Sequence, residues 1–250
     1  MRIFIGMETS GEARRRLAAQ GHHVISCDIL PSEDDAPLPT KFGRSGHIVA
    51  DVFATLEWLW SEGWWPDTAL FHPTCTYLTG SAEWAYKDPD FARYPGVGYH
   101  QKLKQGTLFG AARREARDKD AEAFLRLARL PIPRKFIENP VGVMSTRFRK
   151  PTQIIQPYEF GDDASKKTCI WIVGKDMEDL VDLKLTVNPD KRFPGRWVEW
   201  PRNSGTMVER WSNQTESGQS NVTPDEERWK DRSRTFPGIA DALTEAMIRS

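Results

Sequence analysis

Two side chains suited to covalent chemistry follow predicted buried strands. Cys75 lies in HPTCTYL, directly after the apolar run TALF, and Glu138 lies in FIENP, at the end of a later apolar run. A thiolate attacks well and also leaves well, and a carboxyl group can exchange a proton with the molecule under attack. The pair therefore predicts nucleophilic catalysis with acid–base assistance.

A purely structural role remains an alternative for each cysteine. Cys75 could be a buried thiol, while Cys27 and Cys169 lie within apolar strands and are most simply core residues. For Glu138 the alternative is a helix cap or turn cap. The cysteines and histidines show no ligand spacing such as Cys-x-x-Cys, so we predict no structural zinc or other metal site.

Acidic residues follow two other predicted strands. Asp28 and Asp51 lie at the predicted carboxyl ends of strands two and three, and the segment GMETSG, from Gly6 to Gly11, forms the first strand-to-helix turn. Ligands of open α/β sheets bind at this edge, and an acid after the second strand suits a ribose diol. The glycine spacing matches neither the dinucleotide pattern nor a P-loop, and both acids could instead cap turns.

The pattern along the chain predicts a mostly parallel sheet flanked by helices. Predicted strands are RIFIG, HHVISCDIL, HIVADVF, TALFHPTC, KFIENP and TCIWIVG, and predicted helices lie in GEARRRLAAQG, ATLEWLWSEGWW, RREARDKDAEAFLRLARL and FPGIADALTEAMIRS. Alternating strands and helices are typical of this α/β class. A long loop is predicted over residues 79 to 110, and long loops after strands commonly carry function.

Composition divides the chain and limits its partners. Residues 1–174 and 236–250 carry the α/β pattern, and residues 175–235, rich in polar residues and proline, are predicted to form a small recognition subdomain or an excursion from the sheet. The 35 Lys and Arg residues balance 35 Asp and Glu residues, so contact with a polyanion must be local. The start turns polar after five residues, and no run approaches the ~20 apolar residues of a membrane span. We expect a cytoplasmic protein.

The order of these features resembles the cytosine-5 DNA methyltransferases. In that family the catalytic Cys lies in a Pro-Cys loop after strand four, and the catalytic Glu lies in a Glu-Asn-Val motif after strand five. The segment FGDDASKKTCIWIVG looks like a later family motif, and FPGIADAL stands where the family's chain returns to the cofactor site. The resemblance covers most of residues 1–174 and about the last fifteen residues.

The resemblance implies a Rossmann-like methyltransferase fold and a reaction. Cys75 would attack C6 of cytosine in DNA, Glu138 would protonate N3, and C5 would take the methyl group of S-adenosylmethionine. Cofactor residues carried over by position are Met7, Glu8, Gly11, Asp28, Asp51 and Pro73. Those on the substrate side are His72, Thr74, Asn139, Lys166 and Lys167. A compact enzyme of this kind fits a phage origin.

Three features depart from the family. Thr74 stands where the family has proline, with the proline displaced to Pro73, and ASKKT replaces a Gln-x-Arg-x-Arg run. The region for reading duplex DNA is short, at about sixty residues before the last helix. Basic residues available for phosphate contacts are Arg147, Arg149, Lys150, Lys166, Lys167, Lys102 and Lys104, although such a charged run is more often a solvated face.

Two other functions remain open from the sequence. The same chemistry could act on a free pyrimidine nucleotide or on single-stranded nucleic acid, which would explain the short recognition region. A non-catalytic descendant of the fold that binds a nucleotide or a protein partner is the third hypothesis, and Thr74 and the altered basic run support it.

Overall fold

A seven-stranded sheet forms the centre of the molecule. The computed structural model describes residues 1–40, 43–80, 83–88, 107–221 and 235–249. The strands are β1 (Arg2–Gly6), β2 (His23–Asp28), β3 (Gly46–Val49), β4 (Thr68–Phe71), β5 (Arg134–Pro140), β6 (Gln153–Ile155) and β7 (Thr168–Gly174). Their order across the sheet is β3-β2-β1-β4-β5-β7-β6. The Rossmann-like architecture predicted from the sequence is therefore confirmed.

Strand direction places the candidate residues that follow β1 to β5, and the lysines just before β7, at one edge of this sheet. The first five strands in chain order pair in parallel, whereas β7 runs antiparallel to both β5 and β6. The carboxyl ends of β1 to β5 and the start of β7 consequently lie at the same edge. We call it the catalytic edge, because ligands of such sheets bind there.

Helices cover both faces of the sheet. They are α1 (Glu12–Ala19), α2 (Val52–Ser61), α3 (Gly110–Arg129), the short α4 (Met144–Arg147) and α5 (Pro237–Ile248). Side chains alternate along each strand, so Phe4 packs in one core with α2 and α3 while Ile3 and Ile5 pack in the other with α1 and α5. Strands buried on both faces explain the near-continuous apolar runs in the sequence.

Several element boundaries differ from those predicted. The third strand ends at Val49 rather than at Asp51 as predicted, because the Asp51 carboxylate accepts hydrogen bonds from the backbone N–H groups of Phe53 and Ala54 and begins α2. β4 ends at Phe71, and the chain leaves the sheet before the proline. The three-residue strand β6 was not predicted, since so short an edge strand has too few residues to show a period.

Between β7 and α5, the described residues 175–221 form one hairpin and two short 3-10 turns, Val181–Leu183 and Pro189–Lys191. Strands β8 (Arg196–Glu199) and β9 (Met207–Arg210) pair with each other and not with the main sheet. Leu185, earlier in this segment, is buried in the same core as α1 and α5. The boundaries of the predicted subdomain, 175 and 235, stay a prediction, and part of its length, residues 222–234, lies outside the described residues.

Within the described ranges, no helix is both long enough and apolar enough to cross a membrane. The same residues contain no group of three or more His, Cys, Asp or Glu side chains that could hold a metal ion.

Candidate active site

The loop that follows β4 carries the candidate nucleophile. We call residues 72–80 the nucleophile loop. Cys75 is half-buried there, and its neighbour Thr74 is exposed. The carbonyl oxygen of Cys75 accepts hydrogen bonds from the N–H groups of Leu78 at 3.1 Å and Thr79 at 3.0 Å. The loop therefore folds back as a tight turn immediately after the candidate nucleophile.

Two hydrogen bonds join the nucleophile loop to the end of β5. His72 Nδ1 lies 3.0 Å from Glu138 Oε2, and both side chains are largely buried. Asn139 Nδ2 donates to the carbonyl oxygen of Pro73 at 2.8 Å. The loop bearing Cys75 and the strand bearing Glu138 are thus connected directly, at neighbouring residues.

The charge of Glu138 is balanced by cations from other elements. Burial by itself raises the pKa of this carboxyl group, but the hydrogen bond with His72 and the positive charge of Lys166 outweigh burial, and the pKa is lowered below its ordinary value. Glu138 is therefore a carboxylate at neutral pH. Lys166 comes from the segment before β7, so three elements of the catalytic edge meet at this carboxylate.

The other two cysteines are unsuited to nucleophilic attack. Burial raises the pKa of Cys27 to about 11 and that of Cys169 to about 11. Since the thiolate is the reactive form, both are held as inert thiols in the core, as the sequence predicted. Cys75 is the cysteine with access to solvent.

The far end of the nucleophile loop packs tightly against the chain that follows β5. Val143 N–H donates to the carbonyl oxygen of Leu78 at 2.9 Å. Gly142 lies so close that a Cβ atom added there would be 1.9 Å from the same oxygen. Only glycine permits this approach, so the loop position is fixed by backbone-to-backbone contact.

Two arginines of α3 hold the same loop from a third side. Arg117 Nε donates to the carbonyl oxygen of Tyr77 at 2.9 Å, and its guanidinium lies 3.3 Å from the ring centroid of Tyr86. Arg113, also buried, lies 5.1 Å from the ring centroid of Tyr77. Neither arginine was predicted from the sequence. Their spacing from Ala121, on the apolar face of α3, could have identified them.

The turn between β1 and α1 is shaped by backbone strain. Met7 has φ +63° and Gly11 has φ +68°, and Met7 N–H donates to the carbonyl oxygen of Cys27 at 2.7 Å. Glu8 is buried; one carboxylate oxygen accepts from the N–H of Glu12, and the other, Oε2, is buried with no hydrogen-bond partner among the described residues. A buried carboxylate oxygen without a donor is a place where a ligand donor fits.

The ends of β2 and β3 combine acids with exposed apolar side chains. Asp28 Oδ1 accepts from the N–H of Leu30, and Asp51 Oδ1 accepts from two N–H groups of α2. These contacts use one oxygen of each carboxylate. Ile29 is 73% exposed and Val49 is 55% exposed beside them. An apolar surface next to carboxylate oxygens suits a flat, hydrogen-bonding group such as a purine.

The remaining basic candidates divide into two groups. Arg147 forms an ion pair with Asp118, and Arg149 forms one with Asp179, so neither charge is uncompensated. Lys167 and Lys150 are exposed, and Lys102 and Lys104 lie outside the described residues. Among the basic candidates in the described part of the chain, Lys166 is the one whose charge lowers the pKa of Glu138.

No protein-family model matches the chain, and no curated protein matches it. Among solved structures, the chain is similar to that of an E. coli prophage protein provisionally described as a DNA modification methyltransferase, with 14% sequence identity and a TM-score of 0.40. The alignment covers 76% of this chain and 49% of that one, so the chain spans about half the length of the structure it matches. A similarity of this size carries no inference about function.

Proposed function

We propose that the protein transfers a methyl group from S-adenosylmethionine to C5 of cytosine in DNA. The observation that carries the proposal is the direct connection of the nucleophile loop to Glu138 and Asn139 through His72 and Pro73. It supports a half-buried thiol and a buried carboxylate acting on one flat substrate.

The first step proposed for Cys75 is addition to the ring. Its thiolate forms a bond to C6, and the electron pair of the C5–C6 double bond moves toward N3. N3 then takes a proton from the carboxyl group of Glu138. C5 becomes enamine-like and nucleophilic. After methyl transfer, a water molecule takes the C5 proton, the bond between C6 and sulfur breaks with release of the Cys75 thiolate, and N3 returns its proton to Glu138, which restores the aromatic ring.

The proton at N3 needs a source, because Glu138 is ionised at rest. When His72 is protonated, the pair holds one acidic proton. This proton can cross the 3.0 Å hydrogen bond to the carboxylate and pass on to N3. In this scheme His72 positions Glu138 and supplies its proton.

The ends of β1, β2 and β3, at the same catalytic edge, fit the proposed cofactor. S-adenosylmethionine, when bound, supplies an electrophilic methyl group. The unpartnered Glu8 oxygen suits an amino group, the second oxygen of Asp28 suits the ribose hydroxyls, and that of Asp51 suits the adenine amino group. Met7, Gly11 and Pro73 would form the walls of the same pocket.

The experiment that tests this function is identification of the product. The protein is incubated with duplex DNA and S-adenosylmethionine carrying a labelled methyl group, and the DNA is digested to nucleosides. We expect the label in 5-methylcytosine. Label in N4-methylcytosine or N6-methyladenine would reject the Cys75 mechanism, because methylation of an exocyclic nitrogen needs no thiolate adduct.

A second candidate keeps the chemistry and takes a free pyrimidine nucleotide as substrate. It is favoured by the internal ion pairs of Arg147 and Arg149, which reduce the positive charge available for a polyanion. Labelled transfer to nucleotides and none to DNA would select it.

A further inference from the structure

The β8–β9 hairpin stands apart from the main sheet. Trp197 is 64% exposed and Met207 is 54% exposed, so the hairpin face that they share is not covered. A two-stranded hairpin without a covered face is marginally stable in water on its own. Its position must therefore be fixed by the residues at its base.

An aromatic stack provides the first anchor of the hairpin. Trp211, directly after β9, stacks on Tyr158 with ring centroids 3.9 Å apart and an interplanar angle of 8°. Its indole Nε1 donates to the carbonyl oxygen of Phe193, just before β8. Both strands of the hairpin are thereby attached to the segment between β6 and β7.

Hydrogen bonds provide a second anchor, close to the proposed active site. The Ser212 N–H donates to Asp163 Oδ1 at 3.0 Å, and the Asn213 side chain exchanges two hydrogen bonds with the backbone of Ser165. The next residue is Lys166, whose charge acts on Glu138. The base of the hairpin thus lies at the catalytic edge.

One face of the hairpin carries two arginines directly opposite each other. Arg196 pairs in register with Arg210, and like charges at such positions, with Cβ atoms about 5 Å apart, destabilise a hairpin. Arg210 donates to the carbonyl oxygens of Glu216 and Glu209, which fixes its guanidinium without neutralising it. Arg196 has no hydrogen bond or ion pair with the rest of the described chain.

The two carboxylates of the hairpin form hydrogen bonds and an ion pair with groups other than the two arginines. Glu199 accepts from the N–H of Gly205 in the turn, and Glu209 accepts from the N–H of Gly195 and pairs with Arg192. Both glutamates lie on the face opposite the two arginines. The arginine face therefore carries two positive charges that no described carboxylate compensates.

We propose that Arg196 and Arg210 bind a phosphate of the nucleic-acid backbone beside the base being modified. This assignment rests on the proposed function, because it takes DNA as the substrate. Guanidinium groups bind phosphate through paired, charge-assisted hydrogen bonds, and a phosphate between the two arginines removes their repulsion. In a chain without net charge, this local pair provides the attraction that the molecule as a whole lacks.

The test compares two double variants that lose the same charge. R196Q/R210Q removes the proposed phosphate site. R126Q/R129Q removes two exposed arginines at the end of α3, at the opposite edge of the sheet. Binding of a fluorescent duplex, and of one of its strands alone, is measured by anisotropy over a range of salt concentrations. Unchanged melting temperatures show that the variants remain folded.

We expect R196Q/R210Q to bind about tenfold more weakly than wild type at about 0.1 M salt, with the slope of log affinity against log salt reduced by about 1–2. The α3 variant should bind like wild type. Equal affinities for wild type and R196Q/R210Q, equal losses in both double variants, or no binding of either DNA by wild type would overturn the assignment.

The same variants separate this inference from the proposed reaction. Arginine-dependent DNA binding by a protein that makes no 5-methylcytosine would uphold the phosphate site and reject the reaction. Normal 5-methylcytosine production together with wild-type DNA affinity in R196Q/R210Q would uphold the reaction and reject the phosphate site.

Discussion

At the scale of single residues, the site depends on the balance of charge at Glu138. The carboxylate is almost fully buried, which disfavours its ionised form, yet His72 and Lys166 keep it ionised. A buried carboxylate that loses its partner is costly, by about 3–5 kcal/mol. His72 is therefore the residue at which substitution most directly changes both stability and proton transfer.

Substituting His72 by Phe should raise the pKa of Glu138 above its ordinary value, because burial then acts with less opposition. The variant should lose about 3–5 kcal/mol of stability at pH 7. Stability contributed by the ionised carboxylate is present above the unfolded pKa of about 4.3 and is lost as the pH falls through the lower folded pKa, so the difference from wild type should shrink in acid.

The measurements for His72 are side-chain carboxyl NMR titration and denaturant unfolding at several pH values. H72Q, which can still donate a hydrogen bond, is the control. Its stability and the pKa of its Glu138 should lie closer to those of wild type. An unchanged Glu138 pKa in H72F would show that the hydrogen bond has no influence on the carboxylate.

Residues with a chemical signature could be predicted from the sequence, whereas residues that act by packing could not. Cys75 and Glu138 were predicted because their order along the chain, after strands four and five, resembles that of the cytosine-5 DNA methyltransferases. Arg113 and Arg117 fall within the predicted helix RREARDKDAEAFLRLARL, and they lie in phase with its buried face. Their position on the buried face could be read from the sequence. The tyrosine rings that their guanidinium groups contact come from loops distant in sequence, so the contacts themselves could not be predicted.

Among the elements, the candidate active site is built where the loops that follow β4 and β5 touch. The contact is between backbones, at Gly142 and the carbonyl oxygen of Leu78. No property of the glycine in the sequence Pro-Val-Gly-Val indicates which loop it meets, since that depends on strand order. Strand order itself could not be read from the sequence beyond the general expectation of a parallel sheet.

Substituting Gly142 by Ala should displace the nucleophile loop. The added Cβ atom would lie 1.9 Å from the Leu78 carbonyl oxygen, so the backbone must move. We expect a loss of about 1–3 kcal/mol in stability and of about a hundredfold in methyl-transfer rate. Gly80, on the same contact, has open space around it and is the matched control. Equal rates for G142A and G80A would contradict a positioned loop.

Substituting Asp51 separates its role as the cap of α2 from its proposed role in binding the cofactor. D51A removes the cap of α2 and should cost about 1 kcal/mol of stability, whereas D51S retains a capping oxygen and should stay close to wild type in urea unfolding. If Asp51 also contacts the adenine, both variants should bind S-adenosylmethionine more weakly in calorimetry. Unchanged affinity in both would leave Asp51 as a cap alone.

At the scale of the whole molecule, the catalytic edge has two halves with different character. The ends of β1, β2 and β3 offer a strained turn, carboxylate oxygens and exposed apolar side chains, and the ends of β4 and β5 offer a thiol and a carboxylate. The alternation of strands and helices was enough to predict a mostly parallel sheet with the acids, Cys75 and Glu138 after its strands, but not the order of those strands. The hairpin could not be predicted, because its few residues pack against no long periodic element.

In the proposed reaction, Cys75 attacks the cytosine ring while a methyl donor is bound at the ends of β1, β2 and β3. Duplex DNA containing 5-fluorocytosine blocks the final loss of the C5 substituent, so the covalent adduct accumulates. Peptide mass spectrometry after incubation with S-adenosylmethionine should find a methylated fluorocytosine attached to Cys75, and C75A should form no adduct while binding the cofactor normally. An adduct at another residue, or undiminished 5-methylcytosine formation by C75A, would contradict the mechanism.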